Sequence, residues 1–316
     1  MSEQLCDVGR GIALCYETFG ERSDPTALLV MGLGTQMIAW HEDFCRDLAA
    51  RGFHVVRFDN RDVGRSTHLS GPPPTVAQLL TRSRRAARYS LADMAEDAAL
   101  LLERLQLGRA HVIGASMGGM IAQTLAARHP ASVRSLVSIM SNTGSLLSGQ
   151  PRLRSYSALL RTPPPGREAF IEHMLGVFAL IGSPGPLRDL EDVREIIGRS
   201  YDRDHDPDGS GRQLAAIVAA GNRTAELRRI SAPTLVIHGT ADPLVGFSGG
   251  RATARAIPGA RLMPVEGMGH DLPRALWPQL IDAIASHALA AQTAVATDAP
   301  RTTVRDPSLR PAPIPR

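Results

Sequence analysis

The stretch Ala110-His111-Val112-Ile113-Gly114-Ala115-Ser116-Met117-Gly118-Gly119-Met120-Ile121 decides how this chain folds. Its first residues, Ala110 to Ile113, form an apolar run suited to a strand buried on both faces. Its last residues begin a helical pattern, with Met120, Ile121, Leu125 and Ala126 at helical spacing until Pro130 stops it. Between the two stands a Gly-x-Ser-x-Gly, in which glycines at 114 and 118 let the backbone fold sharply and leave the Ser116 hydroxyl exposed at the strand-to-helix turn. In a chain with 29 glycines the pentapeptide alone is weak. The strand before it and the helix after it are what mark Ser116 as a nucleophile rather than an ordinary loop residue.

A serine hydroxyl is hardly ionised near neutral pH, so it needs a base to take its proton as it attacks, and histidine is the usual one. Two segments downstream supply partners in the order acid, then histidine. In Thr234-Leu235-Val236-Ile237-His238-Gly239-Thr240-Ala241-Asp242-Pro243, a strand-like run ends in a glycine turn that carries Asp242, the candidate orienting acid. In Glu266-Gly267-Met268-Gly269-His270-Asp271, a glycine turn follows the weak strand Arg261 to Val265 and precedes the helix that Pro273 opens, which makes His270 the candidate base. Asp242 before Pro243 also suits a plain turn or helix cap. His238 lies inside its apolar run and reads as a strand residue, and the histidines at 41, 54, 68, 111, 129, 173, 205 and 287 read as surface or packing residues.

With these motifs in this order, the chain resembles the α/β-hydrolase fold superfamily, and within it the carboxylesterases and polyketide methylesterases with a helical lid. The likeness spans nearly all of residues 5–290 and includes Met31-Gly32-Leu33-Gly34 after the strand Ala27 to Val30, and the turn Asp59-Asn60-Arg61-Asp62-Val63-Gly64-Arg65-Ser66. It implies an α/β fold with a mostly parallel, eight-stranded sheet flanked by helices and interrupted by an inserted helical lid. It also implies a triad of Ser116, Asp242 and His270, with the backbone N–H groups of Leu33 and Met117 as an oxyanion hole. The family's usual His-Gly pair is Met31-Gly32 here, which leaves the loop a backbone role only. The expected division is a first core part at 1–140, a lid at 141–229, a second core part at 230–290 and a disordered tail at 291–316. Strand and helix stop alternating in the lid, where Pro163-Pro164-Pro165 and Pro184-Gly185-Pro186 occur, and the tail is rich in Ala, Pro, Thr and Arg.

The function expected from this resemblance is hydrolysis of small to medium, mostly apolar carboxylic esters through an acyl-enzyme on Ser116, without a cofactor. Met31, Phe170, Met174 and Phe178 are the candidate pocket walls, although packing of lid on core would use the same side chains. A carbon-carbon bond hydrolase or a polyketide methylesterase would share the triad. A ligand-binding protein that keeps the hydrolase fold is the alternative of another class.

Composition narrows the rest. At 316 residues and 43% hydrophobic, the chain can bury one large core, and with 4% aromatics that core rests on Leu, Val, Ile and Ala. No lysine occurs, so a P-loop is ruled out, and the Gly32-Leu33-Gly34 pair fails as a dinucleotide fingerprint because Met37 stands at the next required glycine. Asp204, Asp206, Asp208 and Gly209 mimic the start of a calcium loop, but Ala215 falls where its bidentate glutamate belongs, and the expectation is no metal. Cysteines only at 6, 15 and 45 form no zinc pattern and leave at least one unpaired; with no secretory signal, a cytoplasmic location is expected. Half of the net charge of +4 lies between Asp298 and Arg316, and Arg82, Arg84, Arg85 and Arg88 lack interleaved aromatics, so neither cluster argues for nucleic acid. No apolar stretch approaches the ~20 residues of a membrane span. The oligomeric state is open.

Overall fold

The computed structural model describes residues 2–81, 84–155 and 163–298. Eight strands form one sheet: β1 (Gln4–Gly9), β2 (Ile12–Phe19), β3 (Thr26–Val30), β4 (His54–Phe58), β5 (Ala110–Ala115), β6 (Val133–Ile139), β7 (Thr234–Gly239) and β8 (Arg261–Val265). Their order is β1-β2-β4-β3-β5-β6-β7-β8. The β1–β2 and β2–β4 pairs are antiparallel, and every pairing from β4 through β3 to β8 is parallel. The sequence shows why. Every residue of β3, β4, β5 and β7 is buried, so both faces of these strands must be covered, and helical crossovers cover them.

The helices that accompany the sheet include α1 (Glu42–Ala49), α2 (Val76–Leu80), α3 (Leu91–Arg104), α4 (Met117–Arg128), α5 (Arg167–Ile181), α6 (Leu190–Arg203), α7 (Gly209–Ala220), α8 (Thr224–Leu227), α9 (Phe247–Ala256) and α10 (Trp277–Asp298). On one face of the sheet, Met94, Ala98 and Leu101 of α3 join Ile121 and Leu125 of α4 in a single core. On the other, Phe44 and Leu48 of α1 pack with Leu280, Ile281 and Ile284 of α10. The helix expected after Ser90 begins where its cap predicts: the Ser90 hydroxyl accepts from the Asp93 N–H, and the Asp93 carboxylate accepts from the Ser90 N–H at 2.7 Å.

Between β6 and β7 the described chain contains helices and no strand, and α5 packs on α6 through Ile171, Leu175 and Ile197. This insertion is bound to the core by ion pairs, the driest of which join Arg203 to Asp59 and Arg212 to Asp62. Arg203 of α6 pairs with Asp59 at 2.6 Å and with Glu3 at 2.7 Å, Arg199 pairs with Glu42 at 2.6 Å, and Arg212 of α7 pairs with Asp62 at 3.0 Å. The Arg203–Asp59 and Arg212–Asp62 pairs are buried on both sides and need their partners, because an uncompensated buried charge is costly.

One boundary differs from the sequence expectation. The final helix α10 runs on to Asp298, so residues 291–298 are helical rather than part of a disordered tail. Ala288, Ala290, Ala291, Ala294 and Ala296 explain this: alanine is the strongest helix former and needs no amphipathic period to continue a helix already anchored by packing. The rest of the expected tail, 299–316, lies outside the described residues, as does Arg82 of the arginine cluster. Cys6, Cys15 and Cys45 are free and buried. No helix among the described residues is long and apolar enough to cross a membrane.

Candidate active site

Ser116 joins β5 to α4 with φ 55° and ψ −118°, a conformation that costs a non-glycine residue on the order of 1–3 kcal/mol. The surrounding glycines hold it there. A Cβ on Gly114 would run into the Gly118 carbonyl, one on Gly118 would run into the Val30 carbonyl at the end of β3, and one on Gly119 would lie 2.7 Å from the Ser141 side chain. Only glycine lets the turn close on itself and on the neighbouring strand. The Ser116 N–H donates to Ile139 O at 2.9 Å, which ties the turn to β6 as well.

Two loops at the ends of neighbouring strands bring the partners. Asp242 follows β7 and His270 follows β8, and Gly239 packs against the Met268 carbonyl so closely that no side chain would fit between the two loops. His270 Nδ1 lies 2.8 Å from Asp242 Oδ2, and His270 Nε2 lies 2.9 Å from Ser116 Oγ. A carboxylate on Nδ1 selects the tautomer that carries its proton there. The Nε2 lone pair is then left facing the serine hydroxyl, ready to accept its proton. The other oxygen, Asp242 Oδ1, accepts from the Leu244 and Val245 N–H groups at 2.9 and 2.8 Å. Asp242 therefore holds its own turn with one oxygen and contacts His270 with the other.

The Met31–Gly34 loop passes directly over the serine, where a Cβ on Gly32 would sit 3.2 Å from Ser116 Cβ. The Gly34 N–H donates to Gln213 Oε1 of α7 at 2.8 Å, and Gln213 Nε2 donates to Arg61 O at 2.8 Å, so the insertion braces this loop. Met117 opens α4, and its N–H is one of those a helix leaves unpaired at its start. Ser116, Asp242, His270 and the 31–34 loop thus converge. The four pocket candidates instead show packing contacts. Met31 belongs to the buried cluster that includes Trp40, Ala115 and Met140; Phe170 lies tilted against Tyr201 and edge-on to His205; Met174 and Phe178 pack on the Ile171–Leu175–Ile197 cluster.

Several residues around the site escape a reading of motifs. His238 is a buried strand residue, as its apolar run implies, but its Nε2 also stands 3.6 Å from Asp242 Oδ2 while donating to Val245 O at 2.7 Å. Burial holds its pKa below the usual histidine range, so a neutral ring fills the space beside the carboxylate and does not compete as a base. Ser183 and Asp271 bind the loop of His270 to the end of α5. The adjacency of Asp271 to His270 was the only available signal. His68, read from sequence as a surface or packing residue, carries ligands on both nitrogens: Nδ1 faces Asp206 Oδ2 at 2.8 Å, and Nε2 faces Gly64 O at 2.8 Å and Asp204 Oδ2 at 3.1 Å. Asp62, His68 and Asp206 lie close enough to share a cation, yet Arg212 already bridges Asp62 and Asp206 at 3.0 and 2.5 Å. The guanidinium supplies the positive charge a metal would bring, so these residues fit a metal poorly.

Residues 25–273 match the family model described as the α/β hydrolase fold. The chain belongs to the α/β hydrolase fold family. Among its relatives, the rhodomycin D methylesterase DauP of Streptomyces sp. strain C5 is 31% identical over 89% of this chain and 96% of its own length. The rhodomycin D methylesterase DnrP of Streptomyces peucetius is 27% identical over the same shares. The solved esterase RhEst1 from Rhodococcus sp. ECU1013 superposes with a TM-score of 0.72 at 21% identity, covering 92% of this chain and all of that one, which is a likeness of fold. This α/β hydrolase therefore shares nearly its whole length with its relatives.

Proposed function

We propose that this chain hydrolyses carboxylic esters by two-step acyl transfer. Ser116 attacks the ester carbonyl while His270 takes its proton, and the Asp242 carboxylate stabilises the resulting imidazolium. The N–H groups of Leu33 and Met117 receive the oxyanion; a single donor of this kind is typically worth about 3 kcal/mol in the transition state. His270 then protonates the departing alcohol. A water, deprotonated by the same nitrogen, releases the acid and restores the serine. The observation that carries this reading is the position of His270, within hydrogen-bond reach of Ser116 on one side and Asp242 on the other.

The similarity to DauP and DnrP over 89% of the chain favours one version of this activity, removal of the methyl group from a methyl ester of a polyketide acid, with methanol as the leaving group.

The test is turnover of a short p-nitrophenyl ester and of a methyl ester of an aromatic polyketide acid, the latter read as methanol release, together with fluorophosphonate labelling of Ser116. Labelling and turnover that both vanish in Ser116→Ala are the expected result. Undiminished turnover in that variant would overturn the reading. Labelling without turnover of any ester, diketone or thioester would favour a binding protein that has kept the fold.

A further inference from the structure

We propose that Ser183 and Asp271 form a latch through which the helical insertion positions His270. The proposal rests on the reading of His270 as the general base. Beyond β8 nothing regular holds this residue: the strand ends at Val265, and Gly267 and Gly269 flank the approach to the histidine. Its imidazole touches Ser116 and Asp242, but its backbone is held by the insertion. The His270 N–H donates to Ile181 O at 2.8 Å, in the last turn of α5. The Gly269 N–H donates to Ser183 Oγ at 2.8 Å, and Ser183 Oγ in turn donates to Asp271 Oδ1 at 2.5 Å. The Ser183 N–H donates to Asp271 Oδ2 at 2.9 Å. Three consecutive residues centred on the base are thus bonded to residues 181–183, and one buried hydroxyl both accepts and donates.

The packing leaves little slack in this joint. A Cβ on Gly269 would strike the backbone of Gly182 and Ser183, and a Cβ on Gly182 would lie 2.8 Å from Asp271 Oδ2. Ser183 is fully buried, so no water replaces its hydroxyl directly when it is removed. The Gly269 N–H would then lose its acceptor and Asp271 Oδ1 its hydroxyl donor, leaving the carboxylate only the Ser183 N–H. The loop would gain freedom at the residue whose placement matters most, since a misplacement of about 1 Å in a catalytic group costs on the order of 100-fold in rate. Ser183 and Asp271 are positioning residues: neither reaches the reacting atoms.

The experiment is steady-state kinetics on a p-nitrophenyl ester with the full chain and its Ser183→Ala, Asp271→Ala and Asp271→Asn variants, beside the rate of fluorophosphonate labelling and a thermal melt for each. The labelling reagent is small and needs the base but little of the pocket, so it separates positioning from substrate binding. Expected are a fall in kcat of roughly 10–100-fold in Ser183→Ala and Asp271→Ala, a KM within about threefold, and labelling slowed in parallel with kcat. Asp271→Asn keeps an acceptor for the Ser183 N–H and recovers most of what Asp271→Ala loses. If Ser183→Ala fails to fold, the Asp271 pair carries the test alone. Folded alanine variants with unchanged kcat and labelling, or with a raised KM only, would overturn the latch. Ser116→Ala in the same assay keeps the two claims apart: turnover surviving there defeats the ester-hydrolase reading, whereas turnover lost there and kept in Ser183→Ala defeats only the latch.

Discussion

Asp242 holds His270 with one carboxylate oxygen and its own loop with the other, at 2.8 Å to Nδ1 and at 2.9 and 2.8 Å from the Leu244 and Val245 N–H groups. The two duties can be separated by substitution. Asp242→Asn retains an oxygen for the loop but can present an amide N–H to Nδ1, which selects the wrong tautomer. The expected result is a kcat lowered by about 10⁴ with a melting temperature near that of the parent. Asp242→Ala is expected to lose activity to a similar degree and to melt lower, because two buried N–H groups lose their acceptor.

The elbow glycines are expected to tolerate no side chain. Gly118→Ala places a methyl group against the Val30 carbonyl, and Gly114→Ala places one against the Gly118 carbonyl. Each is expected to destabilise by about 1–3 kcal/mol or more and to abolish fluorophosphonate labelling. Gly176→Ala, in the interior of α5 with open space around it, is the contrast: it is expected to raise stability by about 0.5–1 kcal/mol and leave labelling intact. Labelling that persists in Gly118→Ala would contradict this account of the turn.

Arginines that look alike in sequence are expected to differ in weight. Arg203, with 7% of its side chain exposed, faces the fully buried Asp59 at 2.6 Å, and Arg203→Ala is expected to cost about 3–5 kcal/mol by leaving that carboxylate uncompensated. Arg167 pairs with Asp202 at 2.6 Å on the open surface, and Arg167→Ala is expected to leave the melting temperature unchanged. Thermal melts of the two variants side by side check this.

His68 predicts how stability falls toward alkaline pH. Burial would lower its pKa, but the Gly64 carbonyl, Asp206 and Asp204 outweigh burial and raise it above the ordinary value of 6.5. Both ring nitrogens face acceptors, so the clamp needs the imidazolium. A histidine whose pKa is higher folded than unfolded contributes stability that is complete below the unfolded value and is lost as pH rises through the folded one. Stability is therefore expected to decline above about pH 6.5, and His68→Gln should flatten that part of a melting-temperature profile.

His111 predicts the opposite limb. Burial, with Arg134 and His287 nearby, pushes its pKa down to about 4, while Ser135 faces one ring nitrogen at 2.8 Å. Between the unfolded value near 6.5 and the folded value, the unfolded chain binds the proton and the folded chain does not, so stability falls as pH drops through that interval. His111→Gln is expected to soften the acid limb, read from melting temperatures between pH 4 and 7. A slope that this variant leaves unchanged would assign the acid sensitivity to other groups.

Much of this molecule was legible in local patterns. The elbow, the Ser90–Asp93 cap and the strand-ending turns that carry Asp242 and His270 are each specified within about ten residues, because glycine sterics, capping and apolar periodicity act between near neighbours in the chain. The same locality explains what was missed. Nothing in the order of 35 arginines and 31 acids tells which of them pair, and alanine-rich sequence at 291–298 looked featureless although it continues a packed helix.

The sequence by itself determined the kinds of element and the order in which Ser116, Asp242 and His270 occur along them. Only the tertiary structure decided that Ser116 and His270, 154 residues apart, stand 2.9 Å from each other, and that Ser183 of the insertion bonds to the loop that carries His270. Short-range propensity acts on each segment separately. Contacts across the sheet depend on strand order, register and the packing of every element between, and these exist only once the whole core has closed.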